Sequence, residues 1–206
     1  MLMVAGLQRD FKMYNEKFER FDWIQWLIDD NNYKSFLEIG CFQGQTFNKI
    51  KCEIKHSVDP APWTSATHKV TSDKFFETLD PDYKYDIIFI DGLHTEEQCT
   101  KDAENALKHL APKGIILFHD IDPPNKTSCD TDTCWRSFVK LRTRKDLDSC
   151  VYPLREITES VGFLKIRKNS NLLIAKLKSL EWEDLKKNRE KWLNFKQEDE
   201  IKKWSK

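Results

Sequence analysis

A chain of 206 residues, 39% hydrophobic and 12% aromatic, is long enough to bury one sizeable core and suggests one domain over residues 1–206. Lys plus Arg and Asp plus Glu each number 34, so the formal charge is zero and no basic field for nucleic acid or anionic lipid shows in the total. No run reaches the roughly 18 apolar residues of a membrane span, and the opening MLMVAGLQRD lacks a secretory pattern, so a cytoplasmic location is expected.

Apolar residues recur at helical spacing from Phe11 to Ile28, which predicts a helix with a break near Asp22 in an N-terminal segment, residues 1–34. A core of residues 35–168 follows. It opens with a strand at Ser35–Ile39, then a turn holding Gly40 and Gly44, then a helix over about Gln45–Lys51. HSVDP reads as a second strand ended by Pro60, and HKVT as a weak third. SDKFFETL is a short helix capped by Ser72 or Asp73.

YDIIFIDG is a near-continuous apolar run, as expected of a strand covered on both faces. TEEQCTKDAENALKHL is an amphipathic helix capped by Thr95, and PKGIILFHD a second buried strand ending in His119 and Asp120. After a polar loop through Pro123 and Pro124 that is a candidate lid, TCWRSFVKLRTR predicts a helix. CVYPLREI and VGFLKIRK read as two strands whose short link favours antiparallel pairing. The sum is an α/β fold: a mostly parallel, seven-stranded sheet with an antiparallel last strand and helices on both faces.

Residues 169–206 are dominated by charge but carry Trp182, Trp192 and Trp204. EWEDLKKNREKWLNF has helical periodicity, with Glu183 and Lys187 at a favourable spacing. A helix packing back on the core is the first expectation; an arm joining copies of the chain is the alternative. Cys41, Cys52, Cys99, Cys129, Cys134 and Cys150 form no C-x-x-C pair and read as reduced thiols, with a metal or disulfide at Cys129 and Cys134 the alternative.

In an open parallel sheet, ligands sit beyond the carboxyl ends of the strands where strand order reverses. The first strand's end carries Glu38, Gly40 and Gly44, and Asp59 closes the next. An acid there suits ribose hydroxyls, and glycines admit close backbone approach. A dinucleotide fits the acid, but Phe42 occupies the middle glycine site and no third glycine follows Gly44.

The pattern E-I-G-x-x-x-G-x-T, then VDP, then YDIIFIDGLHTEEQCTKDAENALKHLAPKGIILFHDIDPP, resembles the class I S-adenosylmethionine-dependent methyltransferases, closest to the branch of macrolide-sugar and glycan O-methyltransferases. The resemblance implies a Rossmann-like methyltransferase fold. It implies that Glu38 and the turn Gly40, Cys41, Phe42, Gln43, Gly44 and Thr46 hold the methionine part of the cofactor, Asp59 the ribose, Ser72 or Asp73 the adenine end, with Asp91 beside them. Metal-using members draw ligands from positions matching Asp91, His119 and Asp120, so Mg²⁺ or Mn²⁺ is the implied ion.

A sugar hydroxyl is too weak an acid to ionise unaided, so transfer to it needs a base or a metal. His94, His119 and Asp120 are the candidate catalytic residues, all at strand-end loops on one edge. His94 is preferred as base beside a metal and His119 without one. Trp135 and Arg136 are candidates for the border of a sugar-containing acceptor site. A nicotinamide oxidoreductase and a non-catalytic cofactor-binding module are the competing readings.

Overall fold

The computed structural model describes residues 18–153, 160–175, 177 and 179–206. The start of the expected N-terminal helix and the end of CVYPLREI lie outside the described residues. Helix α1, Arg20–Asn31, runs unbroken past Asp22. Asp22 does not interrupt it because its carboxylate accepts from the Glu19 N–H at 2.9 Å and so caps the helix start.

The sheet has six strands among the described residues: β1 Ser35–Ile39, β2 Ile54–Val58, β3 Tyr85–Ile90, β4 Leu110–His119, β5 Leu147–Tyr152 and β6 Val161–Ile166. Their order is β2-β1-β3-β4-β6-β5. The first four are parallel, and β6 runs antiparallel to both of its neighbours. The expected HKVT strand contributes only an isolated bridge between Val58 and His68, so the sheet falls one strand short of seven. This is the mostly parallel α/β sheet with an antiparallel last strand expected from the order of elements.

The helix expected at Gln45–Lys51 is a single 3₁₀ turn, Phe47–Lys49. Lys55 of β2 explains the arrest: its Nζ donates to the carbonyls of Phe47 and Ile50 at 2.9 and 3.0 Å, taking acceptors a continuing helix would need. Helix α2, Ser72–Thr78, is capped one residue earlier than expected, by Thr71. Helix α3, Glu96–Lys108, is capped by Thr95 as read. The stretch after Pro124 is not a loose loop: it contains α4, Lys126–Thr131, with Cys129 buried beneath it. Helix α5, Cys134–Leu141, follows.

Successive side chains of each strand face opposite sides, so the sheet builds two cores. One holds Leu37, Ile39, Ile88, Ile90, Ile116 and Phe118 with α3 and α5; the other holds Phe36, Ile87, Phe89, Ile115 and Leu117 with α1. The charged tail folds into α6, Trp182–Leu193, and α7, Glu198–Trp204. Leu185, Trp192 and Leu193 enter the first core and Ile201 the second, so the tail crosses the β5 edge and covers both faces. Lys196 N–H donates to Val151 O at 3.0 Å on that edge. Glu183 pairs with Lys186, not with Lys187. All six cysteines are free thiols; Cys134 Sγ donates to Asp120 O at 3.2 Å instead of serving a metal or disulfide.

Candidate active site

Strand order reverses between β1 and β3, and the residues just past them meet there. Gly40 adopts φ +86°, and a Cβ on it would fall 2.0 Å from Asp91 O, so only glycine fits. Asp91 N–H donates to Ile39 O at 2.8 Å, extending the ladder past the strand ends. Beyond this seam lies a cavity of about 470 Å³. Gly40, Phe42, Asp59, Ser72, Asp73 and Asp91 line it as expected. Asp59 holds the turn: its Oδ2 accepts from Phe42 N–H and its Oδ1 from Ala61 N–H, each at 2.9 Å.

Five residues expected at the cofactor do not line this cavity: Glu38, Cys41, Gln43, Gly44 and Thr46. Four are buried beneath the turn and Gln43 points to solvent. Glu38 is 1% exposed, on the face of β1 opposite the cavity-side Ile39. Burial and then the Asp91 charge hold its carboxyl well above the usual carboxylate range, against the pull of Arg20 and Lys55.

Gln98 and Asp102 line the cavity from α3 and were missed by the sequence reading. Gln98 Nε2 donates to Ser72 Oγ, Asp73 Oδ1 and Asp102 Oδ1 at 3.1–3.2 Å, tying α3 to α2. Their signal was present: Asp102 stands in the apolar stripe of Cys99, Ala103 and Ala106, where a carboxylate is out of place. Burial raises its carboxyl above the ordinary value.

Around Asp91 of the cavity wall, His94, His119 and Asp120 converge. His94 Nε2 lies 3.1 Å and His119 Nδ1 2.8 Å from Asp91 Oδ1. The other His94 nitrogen, Nδ1, faces Asp120 Oδ2 and Asp132 Oδ1, both at 3.6 Å. Asp120 reaches this position through a left-handed backbone, φ 51°. Arg20 of α1 approaches from the other side: Nε donates to Thr46 Oγ1 at 2.8 Å, and Nη1 lies 3.5 Å from His119 Nε2. Burial favours a neutral Asp91, yet its contacts with His119 and then His94 prevail and hold the carboxyl below its ordinary value. The Asp91 contact in turn raises His94, against burial, with Asp120 and Asp132 adding to it.

The donor set fits a divalent cation. Asp91, His94 and His119 each offer an atom, all within 4.8 Å of one another. His119 Nδ1 is buried without a well-directed hydrogen bond although a carboxylate oxygen is 2.8 Å away, which suits two ligands pointed at a shared centre. Asp120, expected as a ligand, faces this set at 3.4 Å from His119 Nδ1, and His94 takes its place within it.

The two residues expected on the acceptor side both meet the C-terminal tail. Trp135 is fully buried, stacks on Trp192 and donates from Nε1 to Cys129 O, so it is a core residue. Arg136 faces Glu181 of the tail at 3.6 Å. A separate cavity of about 250 Å³ is lined by Asp120, Pro123, Pro124, Ser128 and Asp132, of which Asp120 and Asp132 face His94 Nδ1. His56, His68 and His109 do structural work: His56 Nδ1 meets Tyr85 OH at 2.7 Å, His109 Nδ1 meets Tyr83 O at 2.9 Å, and the His68 backbone bonds to β2.

Residues 37–121 match the family model described as a methyltransferase domain. The chain carries the class I methyltransferase fold. Its similarity to solved structures is one of shape more than of sequence. An O-methyltransferase from Bacillus cereus in complex with SAH superimposes with a TM-score of 0.57 at 12% identity, over 73% of this chain and 83% of that one. A cofactor-bound structure from MTB gives 0.61 at 13%, over 76% and 84%. An SAH-bound methyltransferase from Podospora anserina gives 0.54 at 18%, over 74% and 80%. No curated protein matches the sequence. Among the described residues no helix is long and apolar enough to cross a membrane.

Proposed function

We propose that this chain transfers a methyl group from S-adenosylmethionine to a hydroxyl of a sugar-containing acceptor. The observation that carries the reading is that His94 bridges Asp91, which lines the larger cavity, and Asp120 and Asp132, which line the smaller. One ring nitrogen meets Asp91 of the larger cavity's wall, and the other faces Asp120 and Asp132 of the smaller one's.

The larger cavity suits the donor. Its carboxylates, Asp59, Asp73, Asp91 and Asp102, offer acceptors for ribose hydroxyls and an amino group and favour a cation, while Ile39, Phe42, Val58 and Leu93 supply apolar wall. S-adenosylmethionine, when bound, supplies the methyl group on a sulfonium. The SAH and cofactor complexes among the structural relatives support this choice.

The smaller cavity suits one ring of a polyhydroxylated acceptor. Asp120 and Asp132 accept from hydroxyls, Ser128 donates or accepts, and Pro123 and Pro124 offer C–H surface. His94 Nδ1 takes the proton of the acceptor hydroxyl while that oxygen bonds to the methyl carbon and the carbon–sulfur bond breaks, its electron pair returning to sulfur so that SAH leaves. Asp91, holding the Nε2–H, orients the ring and stabilises the imidazolium so formed. A divalent cation held by Asp91, His94 and His119 would instead act by lowering the pKa of the hydroxyl.

The test is isotopically labelled S-adenosylmethionine offered with a panel of hexose and deoxyhexose glycosides, read by mass spectrometry. A product heavier by one labelled methyl supports the reading. Calorimetric binding of SAH with no transfer to any sugar removes the acceptor and leaves the donor.

A further inference from the structure

Arg20 opens α1 and is 99 positions from His119 in sequence, yet its guanidinium reaches the reaction centre. It is held there from two sides. Trp23, Ile24, Leu27 and Ile28 bury α1 against the sheet. Thr46 Oγ1 accepts from Nε at 2.8 Å, and Gln45 Oε1 accepts from Nη2 at 3.5 Å. The remaining nitrogen, Nη1, faces His119 Nε2.

A guanidinium has five N–H donors and no acceptor, and a neutral imidazole has one N–H and one lone pair. The nitrogen that meets Arg20 must therefore present its lone pair. The ring proton then sits on Nδ1, on the side where the Asp91 and Asp120 carboxylates lie at 2.8 and 3.4 Å, their charge favouring a proton there although neither is well aligned for a hydrogen bond. The cation on one side of the ring and the carboxylates on the other demand the same tautomer. Ligation of a metal through Nδ1 demands the opposite one, with the proton moved to Nε2 and pointed at the Arg20 donor.

We propose that Arg20 is a positioning residue that locks His119 as the Nδ1–H tautomer and so holds the centre in its metal-free form, leaving His94 as the proton acceptor. A divalent cation enters the Asp91, His94 and His119 set only when the guanidinium leaves His119. This rests on the reading of that cluster as the reaction centre, but its test requires no methyl transfer.

The first measurement is ¹⁵N NMR of histidine-labelled protein without metal, with the His119 ring assigned by its loss in His119→Asn. The expected pattern is a protonated Nδ1 and a bare Nε2. The second is Mn²⁺ binding followed by electron paramagnetic resonance in the wild type, Arg20→Met and Arg20→Lys. Changing a group that orients a ligand shifts metal affinity by roughly 10–100-fold. Arg20→Met should therefore bind Mn²⁺ more tightly by about that factor, and Arg20→Lys, which keeps a donor, should stay nearer the wild type. Thermal unfolding of both variants shows that they are folded. A wild-type His119 protonated on Nε2 would falsify the proposal, as would equal Mn²⁺ affinity in the wild type and a folded Arg20→Met. A protein that transfers no methyl group but shows this tautomer and this metal response sustains the inference and removes only the proposed activity.

Discussion

His94 Nε2 and Asp91 Oδ1 meet at 3.1 Å across one turn of chain, and the same carboxylate oxygen lies 2.8 Å from His119 Nδ1. One acid therefore serves two imidazoles, and the rings differ in what their other nitrogens see. His119 Nε2 looks at a cation, Arg20, and His94 Nδ1 at two carboxylates, Asp120 and Asp132. The proposed base is the ring held between carboxylates, His94.

Its pKa is raised above the free-histidine value, first by the bond to Asp91. A base acts only when unprotonated, so kcat/KM should rise with pH and level off above the ordinary histidine range. Asp91→Asn removes the main cause and should move that limb to lower pH while reducing turnover. His94→Ala should cost about 10²–10⁴-fold in kcat with SAH affinity retained. A pH-independent rate across the histidine range, or a His94→Ala enzyme with native turnover, rejects His94 as base.

Asp59 both organises the turn and faces the donor cavity. Asp59→Ala leaves the Phe42 and Ala61 amides without their carboxylate and removes an acceptor for ribose hydroxyls. SAH binding by calorimetry should weaken by roughly 1–3 kcal/mol. Unchanged affinity for SAH places the ribose elsewhere.

Gly40 leaves no room for a side chain. Gly40→Ala sets a Cβ against Asp91 O at 2.0 Å in a left-handed backbone. The conformation alone costs about 1–2 kcal/mol, and parting the β1 and β3 ends adds to it. Chemical denaturation should show a loss larger than the conformational cost, accompanied by loss of SAH binding. A Gly40→Ala protein of native stability contradicts the closeness of these two segments.

What could be read in the sequence was what depends on local pattern. The apolar runs of β1, β3 and β4 and the Thr95 cap of α3 carry their own signals, and strand ends in a parallel sheet share one edge. Asp91, His94, His119 and Asp120 were therefore brought together before any geometry was known. Two failures came from contacts distant in sequence. Lys55 of β2 halts the helix after the glycine turn, and Arg20 reaches a histidine that no local pattern links to it. Trp135 and Arg136 were both read as bordering the acceptor, although adjacent helical residues lie about 100° apart and point different ways. Trp135 faces the core and Arg136 the tail. The family resemblance implied Glu38 as a cofactor contact, and strand alternation turns it to the face opposite Ile39.

Lys165 gives a prediction about stability. It lies on β6, buried, with its Nζ donating to the Ser205 carbonyl at the end of α7. Burial, then the charges of Arg167 and Lys113, lower its pKa from 10.5 to about 8. Between those two values the unfolded chain holds a proton at this site that the folded chain has released. Stability at this position therefore rises with pH across that window: the burden of the buried charge is full below about 8 and gone above 10.5. Other groups titrate there too, so the informative quantity is the difference between wild type and Lys165→Met, measured by urea denaturation at several pH values. Lys165→Met should gain on the wild type most at neutral pH, with the gap narrowing as pH rises through the window. A difference that stays constant with pH shows that Lys165 keeps its ordinary pKa in the fold.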